Sequence, residues 1–445
     1  MTTADLHVPG VEAAPRRSRF RGLLADRRFY EYRRLAGGAV LVNLGVLLWA
    51  VGPGGWWAGE GPRVAAIADA VTVNFAIGIL IRQQYVVNAL FWLATCLPVT
   101  APLRLRWSVA KVYHFGGLHS GCMTAGTLWL AVHLGTLLAR DGAGLSLTTI
   151  ALAEALVLLL IGIAILALGP IRARFHDLFE RSHRFGGWAA LLLFWAHTFS
   201  MTADLNPGVP LLDALSGTLG FGLLVAITIS IMLPWLHLKR VPVRIEKPSD
   251  HVAIAHLDYG DTPFAGSSNA LSLSPLNEWH SFANIPAPGR SGYRLAISRA
   301  GDWTGAFIDN PPSHVWVKGI TTSGVARIEV LFRRVIYVAT GSGIGPVLPH
   351  LLAGDVPSHL VWATRAPRKT YGDALVDEIL AASPDAIIWD TDTHGKPDLA
   401  DLTLRAVHEV GAEAVICISN PKLTWNVVET AERAGIPAFG AIWDS

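Results

Sequence analysis

Charge is scarce in this chain, and so is cysteine. Only 16% of its 445 residues are Asp, Glu, Lys or Arg, against about a quarter in an average soluble domain. The three cysteines, Cys96, Cys122 and Cys417, are scattered without a CxxC spacing, which argues against a disulfide framework and against a cysteine zinc site. The formal net charge is +2, and no basic patch is interleaved with aromatics, so nothing points to a nucleic-acid partner. No cleavable leader is visible: the first 35 residues are polar and basic, and the first apolar run reads as a signal-anchor. Long apolar runs are missing after about residue 237, and no internal repeat stands out.

What the chain does have is 51% apolar residues and a length that allows two or three domains. Six apolar segments are long enough to span a bilayer, at about 36–52, 70–97, 112–138, 147–168, 184–201 and 213–236. Basic residues mark alternate connections. Arg16, Arg17, Arg19, Arg21, Arg27, Arg28, Arg33 and Arg34 precede the first segment; Arg104, Arg106 and Lys111 follow the second. Arg172, Arg174, Arg181 and Arg184 follow the fourth, and Lys239, Arg240 and Arg244 follow the sixth. The positive-inside rule then places both termini in the cytoplasm of a multi-pass cell-membrane protein.

Within these segments the histidines are paired. His119 and His133 are fourteen residues apart, and so are His183 and His197. Fourteen residues turn a helix through almost four turns, so each pair shares one face with a rise of ~21 Å. Ionisable residues in lipid are costly and tend to be functional. Two such helices side by side would present His119 with His183 near the cytoplasmic side and His133 with His197 near the outer side. That geometry suits two bis-histidine b-type haems. His114 falls ~140° round the helix from His119 and His176 sits in a charged stretch; both read as structural or solvated. Arg82 interrupts the second segment, as a partner for a haem propionate or as the end of a shorter span. Glu154 in the fourth segment could serve a proton path or pair with another span. The glycine pairs Gly116-Gly117 and Gly186-Gly187 could admit a flat macrocycle or serve helix packing.

The second half reads as two pieces. Short alternating strands at Val252–Leu257, Ala270–Ser274, Tyr293–Ser298 and Val315–Ile320 suggest a small antiparallel β-barrel. From about residue 330, strands at Arg334–Thr340, His359–Thr364, Ala386–Asp390 and Ala414–Ile418 alternate with helices near Val347–Leu352, Ala374–Ala382, Leu399–Val410 and Leu423–Ala434. That is a doubly wound parallel α/β domain. Its first strand runs into Gly341-Ser342-Gly343-Ile344-Gly345-Pro346. Glycines at a strand-to-helix turn let backbone N–H groups approach a pyrophosphate.

The combination resembles the ferric reductase and NADPH oxidase superfamily, from about residue 36 to the C-terminus. Within it, TmpA-like membrane oxidoreductases share the Glu278-Trp279-His280 run, Gly301-Asp302-Trp303-Thr304 and the terminal Ile442-Trp443-Asp444-Ser445. The resemblance implies four regions: a basic cytoplasmic segment (1–35), a six-helix transmembrane haem domain (36–236), an FAD-binding barrel (237–325) and an NAD(P)-binding domain (326–445). His280-Ser281-Phe282-Ala283 resembles the family's His-Pro-Phe-Ser/Thr flavin motif, with Ser281 in place of proline and Ala283 lacking the hydroxyl that bonds flavin N5. Arg299, Gly301 and Thr304 correspond to its pyrophosphate segment. Cys417-Ile418-Ser419-Asn420-Pro421 partly meets the Cys-Gly-Pro nicotinamide motif, with Cys417 beside the transferred hydride or merely buried in a strand. The aromatic that covers flavin near the family's C-terminus corresponds to Trp443, with Phe439 second.

Thr364-Arg365 follows the second nucleotide-domain strand, where NADP 2′-phosphate is read, and favours NADPH; Arg368 and Lys369 could assist. The implied activity moves electrons from cytoplasmic NADPH through FAD and both haems to a ferric chelate, dioxygen or a quinone across the lipid bilayer. Two alternatives are a membrane-anchored flavin reductase acting on an organic substrate and a degenerate redox sensor or scaffold.

Overall fold

The structure is a computed structural model, and it describes residues 30–58, 62–139, 145–258, 260, 262–286 and 291–440. The chain forms two compact units. Among the described residues, one comprises those within 31–87 and 114–237; the other comprises Tyr30 and those within 88–113 and 238–440.

The first unit is helical. Its long helices are α1 (Glu31–Val51), α2 (Val64–Leu80), the start of α3 (Gln84–Thr95), and then, after α4 (Leu103–Ala110) of the other unit, α5 (Gly116–Ala139), α6 (Leu147–Ala167), α7 (His176–Leu205) and α8 (Leu219–Leu236). Helix α5 packs on α1, α2 and α6, while α7 packs on α6 and α8 on α2. Glycines set the close approaches. A Cβ at Gly117 would fall 2.2 Å from the Tyr32 carbonyl oxygen, and one at Gly121 would fall 2.5 Å from that of Ala36. Gly117 and Gly121 thus form a small-xxx-small packing stripe. Ile67, Val71, Phe75, Trp129, Leu130 and Ile227 fill the interior. The outward faces are apolar too, with Leu41, Leu48, Leu158 and Leu192 exposed, the pattern of a surface covered by something other than water.

The six-span expectation is met in part, and two segments differ from it. Among the described residues, four helices, Glu31–Val51, Leu103–Ala139, Leu147–Ala167 and Leu219–Leu236, are long and apolar enough to cross a membrane, or five if a bent pair counts as one span. That pair is α2 and α3, expected as one segment over 70–97. It bends by 71° because the Gln83 side chain leaves the helix and accepts the Tyr85 and Val86 N–H groups at 2.6 and 3.3 Å, starting α3 afresh. Helix α7, expected to span at 184–201, falls short in composition. Two glycines, two tryptophans, a histidine and three hydroxyl residues dilute residues 185–202.

In the second unit, β1 (Leu238–Glu246), β2 (Val252–Leu257), β3 (Ser267–Ser272), β4 (His280–Ala283), β5 (Ile285–Pro286), β6 (Tyr293–Ser298), β7 (His314–Lys318) and β8 (Thr322–Ser323) form one antiparallel sheet, ordered β4-β3-β7-β1-β2-β6-β5 with β8 on β3. Inward residues such as Val241, Leu271, Leu295, Val315 and Phe307 build its core. Helix α9 (Asp302–Asp309) lies between β6 and β7 in sequence.

Five parallel strands follow, β9 (Val335–Thr340), β10 (Ser358–Thr364), β11 (Ile387–Asp390), β12 (Ala414–Ile418) and β13 (Ala438–Gly440), in the order β11-β10-β9-β12-β13. Strand β12 is buried along its whole length, as expected of a parallel strand covered on both faces. The intervening helices are α10 (Ile344–Ala353), α11 (Asp373–Ala382), α12 (Leu399–Val410) and α13 (Pro421–Arg433). Asp398 caps α12 by accepting the Ala400 and Asp401 N–H groups, and Leu399, Thr403, Ala406 and Val407 make its buried stripe.

The segment 88–113, expected as the end of the second span, the basic connection after it and the start of the third, is built into this second unit. Asn88 exchanges hydrogen bonds with the Thr321 carbonyl and the Ser323 N–H, both 2.9 Å. Lys111 pairs with Glu432 at 3.2 Å.

Candidate functional site

The strand order reverses between β9 and β12, and in open α/β sheets ligands bind outside the carboxyl ends of the strands at such a switch point. The glycine turn lies there. Gly341 has φ +48°, a left-handed conformation that favours glycine. Its carbonyl accepts both the Ile344 N–H and the Trp362 indole N–H, the latter at 3.0 Å. A Cβ at Gly343 would stand 2.1 Å from the Ile418 carbonyl oxygen, so only glycine lets the turn seat against β12. Gly345 rests on Ala296 of the barrel, and Ser342 is exposed. Pro346 lies in the first turn of α10, where its missing N–H costs nothing.

Residues to which the sequence assigned no role of their own complete this corner. The Thr340 and Ser419 hydroxyls, at the ends of β9 and β12, bond to each other. Asn420 caps α13 through the Leu423 N–H, with Pro421 at its first position. Two helices therefore begin beside the glycine turn. Tyr371 is buried against Trp362, ring centroids 5.0 Å apart. Burial raises its pKa, and the polar side chains of Ser298 and Thr364 beside it partly oppose that.

Thr364 is accordingly buried, and of the expected phosphate-reading pair only Arg365 reaches solvent. Arg365 makes a loose ion pair with Asp392 at 3.4 Å. Arg368 is held by Asp373 and Asp377, so it is engaged rather than free to assist; Lys369 is exposed. Asp390 accepts the Ala366, Asp392 and Thr393 groups, which hold its pKa below the ordinary carboxylate value.

Cys417 does not reach this corner. It is fully buried in β12 among Ile336, Val338 and Val415, and burial pushes its pKa up to about 12. Ser419, two residues on, is the side chain beside the glycine turn. Phe439 is fully buried, its ring 5.5 Å from that of Phe332, so it packs the core and covers no ligand face. Trp443 lies outside the described residues.

In the barrel, His280 and Phe282 share one face of β4, and Trp303 of α9 lies over both, with ring centroids 4.3 and 5.9 Å away. Trp303 stacks in turn on Phe307 at 5.3 Å. This half-buried aromatic wall suits a flat ring system. Strand alternation puts Ser281 on the opposite, exposed face. Arg299 is already engaged: Asp309 takes both ends of its guanidinium, at 2.6 and 3.0 Å, and the Asp250 carbonyl accepts two more bonds. The Thr304 hydroxyl accepts the Ala300 N–H and donates to the Gly301 carbonyl, closing the turn before α9.

In the helical unit, α5 and α7 meet through their histidines. The His119 and His183 rings are 6.2 Å apart, inclined by 25°; His133 and His197 are 5.6 Å apart. Two imidazoles sharing a metal through bonds of ~2 Å have ring centres about 6 Å apart. Nδ1 of His119 is 2.7 Å from the Gly78 carbonyl, and Nδ1 of His197 is 3.2 Å from that of Thr149. A carbonyl on one ring nitrogen fixes the tautomer and leaves Nε2 as the ligand atom. Buried Nε2 atoms of His133 and His197 have no hydrogen-bond partner. Asp204 orders this end by accepting the Ser146 N–H and the Ser146 and Thr149 hydroxyls. Among the described residues no three His, Cys, Asp or Glu side chains converge. The donor set is thus two facing pairs, which suits a haem with its own four in-plane nitrogens.

Arg82 is exposed at the break between α2 and α3, 5.9 Å over the Phe115 ring. Glu154 is exposed on α6. His114 is buried near Glu31, and His176 is exposed. Gly117 and Gly186 serve helix packing, against α1 and Ile163 respectively.

A family model described as adenylate-forming reductase 03009, C-terminal domain, matches residues 325–445. The chain is 44% identical to adenylate-forming reductase 03009 and 42% to adenylate-forming reductase 06235, both of Coprinopsis cinerea, over 425 residues. The alignments cover 95% of this chain and 41% of each relative, so the chain spans about two fifths of the length of the curated relatives it matches. A ferredoxin NADP+ reductase from Neisseria gonorrhoeae, solved with FAD and NADP, is 12% identical with a TM-score of 0.38, over 46% of this chain and 98% of that one. The strand order of the parallel sheet, 3-2-1-4-5, is that of doubly wound dinucleotide-binding folds.

Proposed function

We propose that this chain is a membrane-bound, NAD(P)H-dependent flavin oxidoreductase of the ferric reductase type, which moves electrons from cytoplasmic NADPH to an acceptor across the bilayer. The observation that carries this reading is the pair of facing histidine sets, equally spaced along α5 and α7, with ring centres 6.2 and 5.6 Å apart. Each set would hold one b-type haem. The glycine turn would cradle the coenzyme pyrophosphate with its N–H groups, and Arg365 would bind the 2′-phosphate. His280, Phe282 and Trp303 would form the wall against FAD. FAD held there would supply conversion of a two-electron donor into single electrons, and haems held by the histidine pairs would supply one-electron chemistry. Gly78 and Thr149 hold the imidazoles of His119 and His197 in the ligating tautomer. The acceptor classes are those of the resemblance: a ferric chelate, dioxygen or a quinone.

The name shared by the relatives favours a second reading, reduction of an organic substrate on the coenzyme side with the histidine pairs structural. One experiment separates the two. Purified protein in detergent is examined by visible spectroscopy before and after NADPH. Reduced b-type bands appearing with NADPH support electron transfer through the helical unit. Flavin bleaching in a preparation without haem supports the second reading and removes the first.

A further inference from the structure

The glycine turn is held from beneath by a side chain with no assigned role. Trp362, on β10, is completely buried, and its indole N–H donates to the Gly341 carbonyl at 3.0 Å. That carbonyl also accepts the Ile344 N–H, so both of its lone pairs are used. A trans peptide is planar, with its C=O and N–H pointing opposite ways. With the Gly341 oxygen drawn down onto Trp362, the Ser342 N–H of the same peptide is turned away from the protein interior, outward at the sheet's switch point. Tyr371 braces the arrangement. Its ring meets that of Trp362 edge to face at 5.0 Å, and its hydroxyl is 3.8 Å from where a Gly341 Cβ would stand.

We propose that Trp362 is a positioning residue for coenzyme binding: its indole N–H orients the Gly341–Ser342 peptide so that the Ser342 N–H faces the pyrophosphate. This rests on the reading of the turn as the dinucleotide site. It also makes a demand that the reading alone does not. Bulk at position 362 is insufficient, and the N–H itself sets affinity. Because the pyrophosphate is common to both coenzymes, NADH and NADPH are affected alike, unlike a change at Arg365.

The test is Trp362→Phe in the full chain, with NADP+ and NAD+ affinity measured by calorimetry and FAD content and thermal melting followed alongside. The expected result is a roughly three- to tenfold weaker Kd for both coenzymes, the effect of one neutral hydrogen bond, with FAD content retained. Unchanged affinity overturns the proposal. If the phenylalanine variant does not fold, Trp362→3-benzothienylalanine decides, since it keeps the indole shape and replaces N–H by sulfur. Weakened binding in that variant supports the role, and wild-type affinity overturns it. Failure of the unaltered chain to bind either coenzyme overturns the reading of the turn, and the role of Trp362 with it.

Discussion

Arg106 and Glu413, 307 residues apart in the chain, form a two-pronged ion pair with Nη1 2.7 Å from Oε2. The Arg106 side chain is only 4% exposed and that of Glu413 22%. Arg106 also donates to the Ala101 and Leu331 carbonyls, and its guanidinium lies 5.7 Å over the Phe332 ring. A charge that reads in sequence as one more positive-inside marker is a structural element of the second unit.

Breaking such a pair leaves a partly buried charge without its partner. Arg106→Ala should therefore lower unfolding free energy on the order of 3 kcal/mol, read as a lower denaturant midpoint. Burial opposes ionisation of Glu413, but hydrogen bonds from Arg106 and the Arg333 N–H outweigh it and hold the pKa below 4.5. The stabilisation is therefore fully present above pH 4.5 and is lost as pH falls through the lowered folded-state value. Glu413→Gln should flatten that acid limb of the stability profile. An unchanged limb would assign the acid sensitivity elsewhere.

The periodic features were legible in the sequence because they are local. Strands β2, β6 and β12 lie where alternation or apolar runs place them, and the fourteen-residue histidine spacing brings the paired rings to centroid distances of 6.2 and 5.6 Å. What was not legible depends on partners distant in the chain. Gly78 reaches His119, Thr149 reaches His197 and Trp362 reaches Gly341, none with a local pattern. Arg299 was readable as a cation but not as one already held by Asp309. The break was legible only as an interruption at Arg82, one of whose two readings was the end of a shorter span; the Gln83 side chain that starts α3 leaves no mark in hydropathy.

Gly343 is the most demanding glycine of the nucleotide turn, since a Cβ there would lie 2.1 Å from a backbone oxygen of β12. Backbone cannot step aside as a flexible side chain can. Gly343→Ala should cost roughly 1–3 kcal/mol of stability by overpacking and weaken NADP+ binding, with haem content unchanged. Normal coenzyme affinity in this variant would detach the turn from coenzyme binding.

Arg365 is 79% exposed, and its ion pair with Asp392 spans 3.4 Å. Exposed pairs of this kind are worth ~0–1 kcal/mol, so a 2′-phosphate can displace Asp392. Arg365→Ala should raise the KM for NADPH roughly tenfold or more, the loss of a charge-assisted hydrogen bond, and leave NADH nearly unchanged. An equal effect on both coenzymes would show that Arg365 does not read the phosphate.

Cys417 should be chemically silent in the folded chain. A thiol with its pKa pushed up to about 12 by burial carries almost no thiolate at pH 7. Alkylation by iodoacetamide should reach it only after denaturation, as peptide mass spectrometry would record. Cys417→Ser should lower the melting temperature, because a hydroxyl replaces sulfur in the core between β9 and β13, yet leave the rate of flavin reduction by NADPH near normal. A large rate loss at unchanged stability would restore a role in hydride transfer.

The histidine pairs make the sharpest demand on the proposed function. If His119 and His183 share one haem and His133 and His197 another, each haem needs both of its ligands. His119→Ala and His183→Ala should then give the same chain holding one haem, measured by the pyridine haemochrome assay against protein concentration. His133→Ala and His197→Ala should give a second, distinguishable one-haem chain. Should all four alanine variants retain full haem content, the histidines are not the ligands, and the route across the helical unit would have to be abandoned.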